Sequence, residues 1–382
     1  MHSNLTYNRQ AFSLISTLGL VILIIGTGLY EADPMPKDEI LVSCSSVILL
    51  LCVYAYCQKT IFIDTRVLLG FILFNCFFTL RLLFSTTHEV ETKAFFTHFI
   101  SLGIFVAVYS ASIQILSNKE TKFIRNYSSS LVLVIFSITA LLILLSTQVA
   151  QFHSDINILN FRPGGYLNPN TTAVIALLFT FSVTKLTHIG AYQLIAIILA
   201  ICIISLSQSR SALLAFIPFL VYIFIKDYTK KFILIAVVLT IFLLIALASL
   251  PELREFLSDF LRRFENDLSS GIRLSLLKSG WISFTEAPIW GNSYKYVASI
   301  TGNSTHNEII ETLANFGLIG LLIISIAGFL LYFPFSVIFF IVCIAPTLLF
   351  THNFFDAYAY QAMLGLALAS ERNKSFLSKA EP

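Results

Sequence analysis

Charge is scarce in this chain. Only 12% of its 382 residues are Asp, Glu, Lys or Arg, while 57% are hydrophobic. A soluble domain of this length carries roughly twice that charged fraction, so an ordinary soluble protein is excluded. The net charge of +3 is small and scattered along the chain. That excludes a nucleic-acid partner, which needs a concentrated basic patch. The six cysteines, among them Cys44, Cys76 and Cys343, have neither metal-ligand spacing nor the pattern of a disulfide framework. Most sit in apolar runs and read as small buried hydrophobes. There is no serine elbow, Walker loop or His-Glu-x-x-His zinc pattern. Asp259, Glu265 and Asp267 follow only the pattern of a charged helix surface. No metal or other cofactor is therefore expected. A cleavable signal pattern is lacking too: Asn4 to Ala11 leads straight into apolar Phe12 to Tyr30, with no small-residue cleavage box, so this segment is expected to be a retained helix.

What the chain has is long apolar runs, several reaching the ~20 residues that cross a bilayer. About twelve candidate spans can be drawn. They cover 11–30, 40–57, 67–84, 96–116, 129–148, 171–184, 189–207, 211–226, 232–249, 312–331, 335–350 and 354–370. The expected fold is an all-α polytopic membrane protein with a long helical outer loop between the ninth and tenth spans. Residues 1–249 then form an N-terminal helix bundle. Residues 250–311 form the loop, and 312–382 the last spans with a short tail. Lys and Arg set the orientation. With the N-terminus inside, the inner side receives Lys59, Arg66, Lys119, Lys122, Arg125, Lys185 and Arg372, among others. The short outer loops receive only Lys37, Lys93, Arg162 and Arg210. Both termini are thus expected in the cytoplasm.

The long outer segment is the one extended polar stretch between apolar ones. From Leu253 to Leu268 apolar residues recur at three and four, the mark of an amphipathic helix. A second helical patch runs from Ile272 to Phe284 and should end at Pro288 and Gly291. A third helix is expected from Thr305, because Thr305 and Glu308 have capping-box spacing. His306 would be its first residue. The outer face then gathers Arg162, Arg210, Arg273 and His306, with Arg262 or Arg263 as a further member. Arginines grip a diphosphate in fork geometry and stabilise its charge as it leaves. A histidine takes a proton from an incoming hydroxyl near neutral pH, and a helix N-terminus favours its neutral form. From residue type alone, His306 reads more readily as a cap or surface residue; its placement with the arginines on one membrane face brings the base reading level with that. His352 and Asp356, also near the outer side, are candidate cavity residues.

Motifs sharpen this picture. The stretch Leu206-Ser207-Gln208-Ser209-Arg210-Ser211-Ala212-Leu213-Leu214 resembles a helix start of the O-antigen ligase and polymerase superfamily. Arg263, Gly271-Ile272-Arg273-Leu274, Trp281, Pro288 and Gly291 resemble that family's outer-loop pattern. Thr305-His306-Asn307-Glu308-Ile309-Ile310-Glu311, with Phe316-Gly317-Leu318-Ile319-Gly320-Leu321, is the strongest likeness, and the three stand in the family's order. The resemblance implies transfer of a glycan from an undecaprenyl diphosphate carrier at the periplasmic face of the bacterial inner membrane. It implies an inverting, metal-independent reaction. By it, His306 is the general base, Arg210 and Arg273 bind the diphosphate or stabilise the transition state, and Arg162 and Arg263 are further carrier contacts. The likeness is closest to the lipopolysaccharide O-antigen ligase branch, whose acceptor is the lipid A–core oligosaccharide. A polymerase, with a second carrier-linked unit as acceptor, is the alternative. A lipid-linked glycan flippase belongs to a different class and would carry more charge inside its spans, where Arg81 is the clearest case.

Overall fold

A computed structural model describes residues 64–84, 88–117, 169–186, 190–207, 209–227, 268–332, 336–350, 354–355 and 357–378. Among the described residues every regular element is helical. In chain order they are α1 (Thr65–Phe84), α2 (His88–Ser117), α3 (Pro169–Leu186), α4 (Gly190–Ser207) and α5 (Arg210–Asp227). Next come α6 (Leu268–Glu286), α7 (Tyr296–Thr301) and α8 (Glu308–Tyr332). A composite run follows: α9 (Val337–Phe339), a π-helical turn (Phe340–Ile344) and α10 (Ala345–Phe350). The helix α11 (Tyr358–Ser378) closes the chain. Pro346, lacking an N–H and crowding the carbonyl one turn back, accounts for the π turn ahead of it.

Helices α1 and α8 and the stretch Val90–Ser110 of α2 are long and apolar enough to cross a membrane. The described residues of the expected spans at 67–84, 96–116, 171–184, 189–207, 211–226, 312–331 and 335–350 fall on helices or their caps, and the span expected at 354–370 becomes helical only from Tyr358. Those at 11–30, 40–57, 129–148 and 232–249 lie outside the described residues, as does the helical repeat from Leu253 up to its last member, Leu268, where α6 begins. Apolar side chains point both ways: Phe74 and Phe78 are buried, while Leu69, Phe84, Leu214 and Leu322 are exposed. Helices that are apolar all round belong in lipid.

The core forms where α11 packs on α2 and α3, and α1 on α8. His98 stacks on Phe78 with ring centroids 4.4 Å apart, and its Nδ1–H donates to Ala94 O at 2.6 Å. At the other end of the bundle, Lys185 pairs with Glu371, and Arg372 pairs with Asp64 and the Tyr109 hydroxyl. These partners carry α11 on to Ser378, so most of the expected C-terminal tail is helix.

The sequence reading missed a break in α8. Gly317 has φ 65° and ψ −165°, outside the helical region. A break releases N–H and C=O groups that cost several kcal/mol each if left unpaired in apolar surroundings. The loop after α6 takes them up. Leu318 N–H donates to Pro288 O at 2.9 Å, and Ile319 N–H to Ile289 O at 3.2 Å. Ala314 O accepts from Asn292 N–H at 3.1 Å and from Asn292 Nδ2 at 3.0 Å. Asn315 O accepts from Arg81 Nη2 at 3.4 Å. The approach is so close that a Cβ on Gly317 would lie 2.4 Å from Ile289 O, and one on Gly291 would lie 2.4 Å from Phe316 N.

Arg81 fastens this junction. Its Nη1 donates to Trp290 O at 2.6 Å and its Nη2 to Asn292 O at 2.9 Å. Nη2 also pairs with Glu91 Oε1 at 2.8 Å, and the guanidinium lies over the Phe316 ring. The Glu91 side chain is fully buried. Removing one partner of a buried pair strands the other and costs about 3–5 kcal/mol. Glu91→Ala and Arg81→Ala are therefore each expected to lower the thermal unfolding midpoint in detergent. Arg81→Ala should in addition expose residues 287–304 to limited proteolysis, because it releases the Trp290 and Asn292 carbonyls.

Candidate active site

Helix α6 carries Arg273 near its start and ends at Glu286, ahead of Pro288 and Gly291 as its sequence predicts. Gly280 lies about two turns beyond Arg273, on the same face. A Cβ there would sit 2.7 Å from Thr305 Cγ2 and 2.7 Å from Ile310 Cγ2. The side-chain-free position is thus where α6 meets the start of α8, and it aims Arg273's face at the same turn.

That turn holds His306. Its φ is 56°, a left-handed conformation for a residue with a side chain, at a cost on the order of 1–3 kcal/mol. The expected capping box from Thr305 to Glu308 does not form. The left-handed His306 takes the backbone out of the helical region at the position the box needs as its first helical residue. Asn307 is the cap instead: its Oδ1 accepts from Ile310 N–H at 3.0 Å, and α8 begins at Glu308. Thr305 is held by a different acid, donating to Glu311 Oε2 from its N–H at 2.9 Å and from its hydroxyl at 2.8 Å. Glu308 Oε2 reaches across to accept from Phe354 N–H at 3.0 Å, and Asn307 Nδ2 donates to Leu349 O at 3.2 Å. The start of α8 therefore ties α6 on one side to the α10–α11 connection on the other.

Beside the turn lies a small cleft lined by His98, Tyr294, Lys295, Ser304, Glu308, Glu311 and Asn315 among others; neither His306 nor Arg273 lines it. His306 is half-buried. Burial first, and then the positive charge of Arg273, lower its pKa from the ordinary 6.5. Both causes disfavour the imidazolium. The ring is therefore pushed toward its neutral form at neutral pH by burial and by Arg273. Among the described residues, no group of three His, Cys, Asp or Glu side chains comes together as a metal site.

Of the candidate residues, the structure brings Arg273 and His306 within electrostatic reach of each other. Arg210 begins α5, which packs along the α9–α10 run; its side chain is outside the described structure. Arg162, Arg263, His352 and Asp356 lie outside the described residues. Residues 195–325 match the O-antigen ligase family model. The match agrees with the superfamily resemblance carried by the motifs, and it points to ligase or polymerase-type glycan transfer. It covers less than half of the chain, taking in Arg210, Arg263, Arg273 and His306 but not Arg162, His352 or Asp356. No curated protein matches the chain. Sequence reasoning missed Gly280 and Glu311. The O-antigen ligase motif gave a signal for Glu311, since two acids follow Thr305, but helix-capping spacing favoured the nearer one.

Inserting a methyl group at a tight contact costs about 1–3 kcal/mol. Gly280→Ala is expected to lower stability by that amount in a denaturant titration. It should also speed modification of His306 by diethyl pyrocarbonate, read on the peptide by mass spectrometry.

Proposed function

We propose that the protein is an O-antigen ligase. It transfers glycan from undecaprenyl diphosphate to a lipid A–core acceptor by inverting, metal-independent displacement. The observation that carries this reading is the half-buried His306 kept neutral beside Arg273, within the stretch that matches the O-antigen ligase family. The acceptor hydroxyl gives its proton to His306 as its oxygen attacks the anomeric carbon. The bond from that carbon to the diphosphate oxygen breaks on the opposite face, and undecaprenyl diphosphate leaves. Arg273 and Arg210 offset the charge that gathers on the departing diphosphate. Arg162 and Arg263 are further contacts for the carrier, and His352 and Asp356 line the cavity. In this reading the chain has about twelve spans, with both termini in the cytoplasm of a bacterial inner membrane. Residues 250–311 form a periplasmic catalytic loop between the 1–249 bundle and the 312–382 spans.

Reconstitution with carrier-linked glycan and purified lipid A–core tests this directly. Glycan appearing on lipid A–core, without added metal, is the expected outcome. Lengthening of carrier-linked chains alone would instead identify a polymerase, and translocation without transfer a flippase. His306→Ala is expected to lower turnover by about 10²–10⁴-fold, the usual contribution of a general base; normal turnover would remove His306 from that role.

The pH dependence has a definite sign. Turnover requires neutral His306, so it falls as pH drops through the histidine's pKa. That pKa is lowered, so the acid limb of kcat/KM lies below pH 6.5. In Arg273→Gln the charge contribution is gone and burial remains. The limb of the residual activity should move up in pH.

A further inference from the structure

The two acids at the start of α8 face different ways in their bonding. Glu308 holds the α10–α11 connection through Phe354 N–H. Glu311 holds the residue immediately before His306; its Oε2 accepts from the Thr305 N–H and from the Thr305 hydroxyl, which also reaches Asn307 O at 3.0 Å. Thr305 and Glu311 are buried, whereas His306 between them is half-buried and left-handed. The anchored residue is thus adjacent to the one that bears the strained φ. Gly280 closes the same anchor from the other side, with Thr305 Cγ2 against its bare Cα.

We propose that Glu311 is a positioning residue for group transfer: its carboxylate pins Thr305 and so holds the left-handed His306 against the Arg273 face of α6. This rests on the reading of His306 as the base. Glu311 does not touch the substrate. Its two hydrogen bonds hold the turn in a conformation that His306 would otherwise leave. Asn315 Nδ2, 3.5 Å from Glu311 Oε1, steadies the carboxylate from the next turn of α8. The lowered proton affinity of His306 is consistent with this placement, since it needs both the burial and the nearness of Arg273 that the turn provides.

The test uses the full chain in lipid nanodiscs, with two readouts on Glu311→Leu, Thr305→Val and Thr305→Ser. The first is the rate at which diethyl pyrocarbonate modifies His306, which does not depend on turnover. The second is the split between kcat and KM for the carrier-linked donor. Glu311→Leu should speed His306 modification and lower kcat by about a hundredfold, the cost of a small misplacement of a reacting group. KM for the donor should stay within about twofold, because the diphosphate contacts are untouched. Thr305→Val, which removes one donor and keeps the shape, should shift both readouts in the same direction by less. Thr305→Ser keeps the hydroxyl, though not the methyl against Gly280, and should lie nearer the unaltered protein than Thr305→Val in both readouts. Unchanged His306 modification in Glu311→Leu and Thr305→Val overturns the proposal. So does a loss of kcat that Thr305→Ser shares with Thr305→Val. If the unaltered protein transfers no glycan, the proposed function fails, while the modification rates still decide whether Glu311 positions His306.

Discussion

The break in α8 at Gly317 is the constraint on which the arrangement of the site depends. An unbroken apolar helix would satisfy its own backbone and offer the loop nothing to bind. Once it is interrupted, Ala314 O, Asn315 O, Leu318 N–H and Ile319 N–H all need partners, and residues 288–292 with Arg81 supply them. Polar backbone exposed in an apolar region is thereby turned into an adhesive that fixes a loop to a membrane helix. The exchange is tolerated only where protein covers the break. Arg81 and buried Glu91 add charge to the same junction, so α1 and α2 are bound to it as well. The charged pair inside the bundle thus has a structural task.

From that junction the chemistry follows by geometry. The loop that repairs the break follows α6 directly, so fixing it also fixes α6. Gly280 lets α6 press against Thr305 and Ile310, and Arg273 on the same face then acts on His306. His306 stands just before the cap of α8, in a backbone conformation that Glu311 and Asn307 secure from either side. Burial and a cation together hold the imidazole neutral. In the proposed reaction His306 gains from both: Arg273 would serve the anionic diphosphate and at the same time keep the histidine unprotonated.

The sequence made the helices legible because their apolar runs have bilayer length, and it located the C-terminal end of α6 through Pro288 and Gly291, though the helix begins at Leu268, ahead of the expected Ile272. It named Arg273 and His306 because an arginine and a histidine on one polar segment are chemically conspicuous and match a family pattern. The break at Gly317 was hidden, since Phe316-Gly317-Leu318 reads as ordinary apolar helix and the partners lie on a distant loop. The capping of α8 was misassigned for a related reason. Local spacing favours Glu308, but the left-handed His306 shifts the cap to Asn307 and frees Glu308 to bind Phe354. Arg81 looked like an isolated charge because its carboxylate partner is on the next helix and its carbonyl partners are some two hundred residues away.

The central claim is that His306 is an unprotonated base at neutral pH because the fold buries it beside Arg273. The most direct measurement is the His306 pKa from NMR of histidine-labelled protein in lipid nanodiscs, with the signal assigned by its loss in His306→Gln. The account predicts a value below 6.5 that rises in Arg273→Gln. A value at or above 6.5, or one that Arg273→Gln leaves in place, would contradict it.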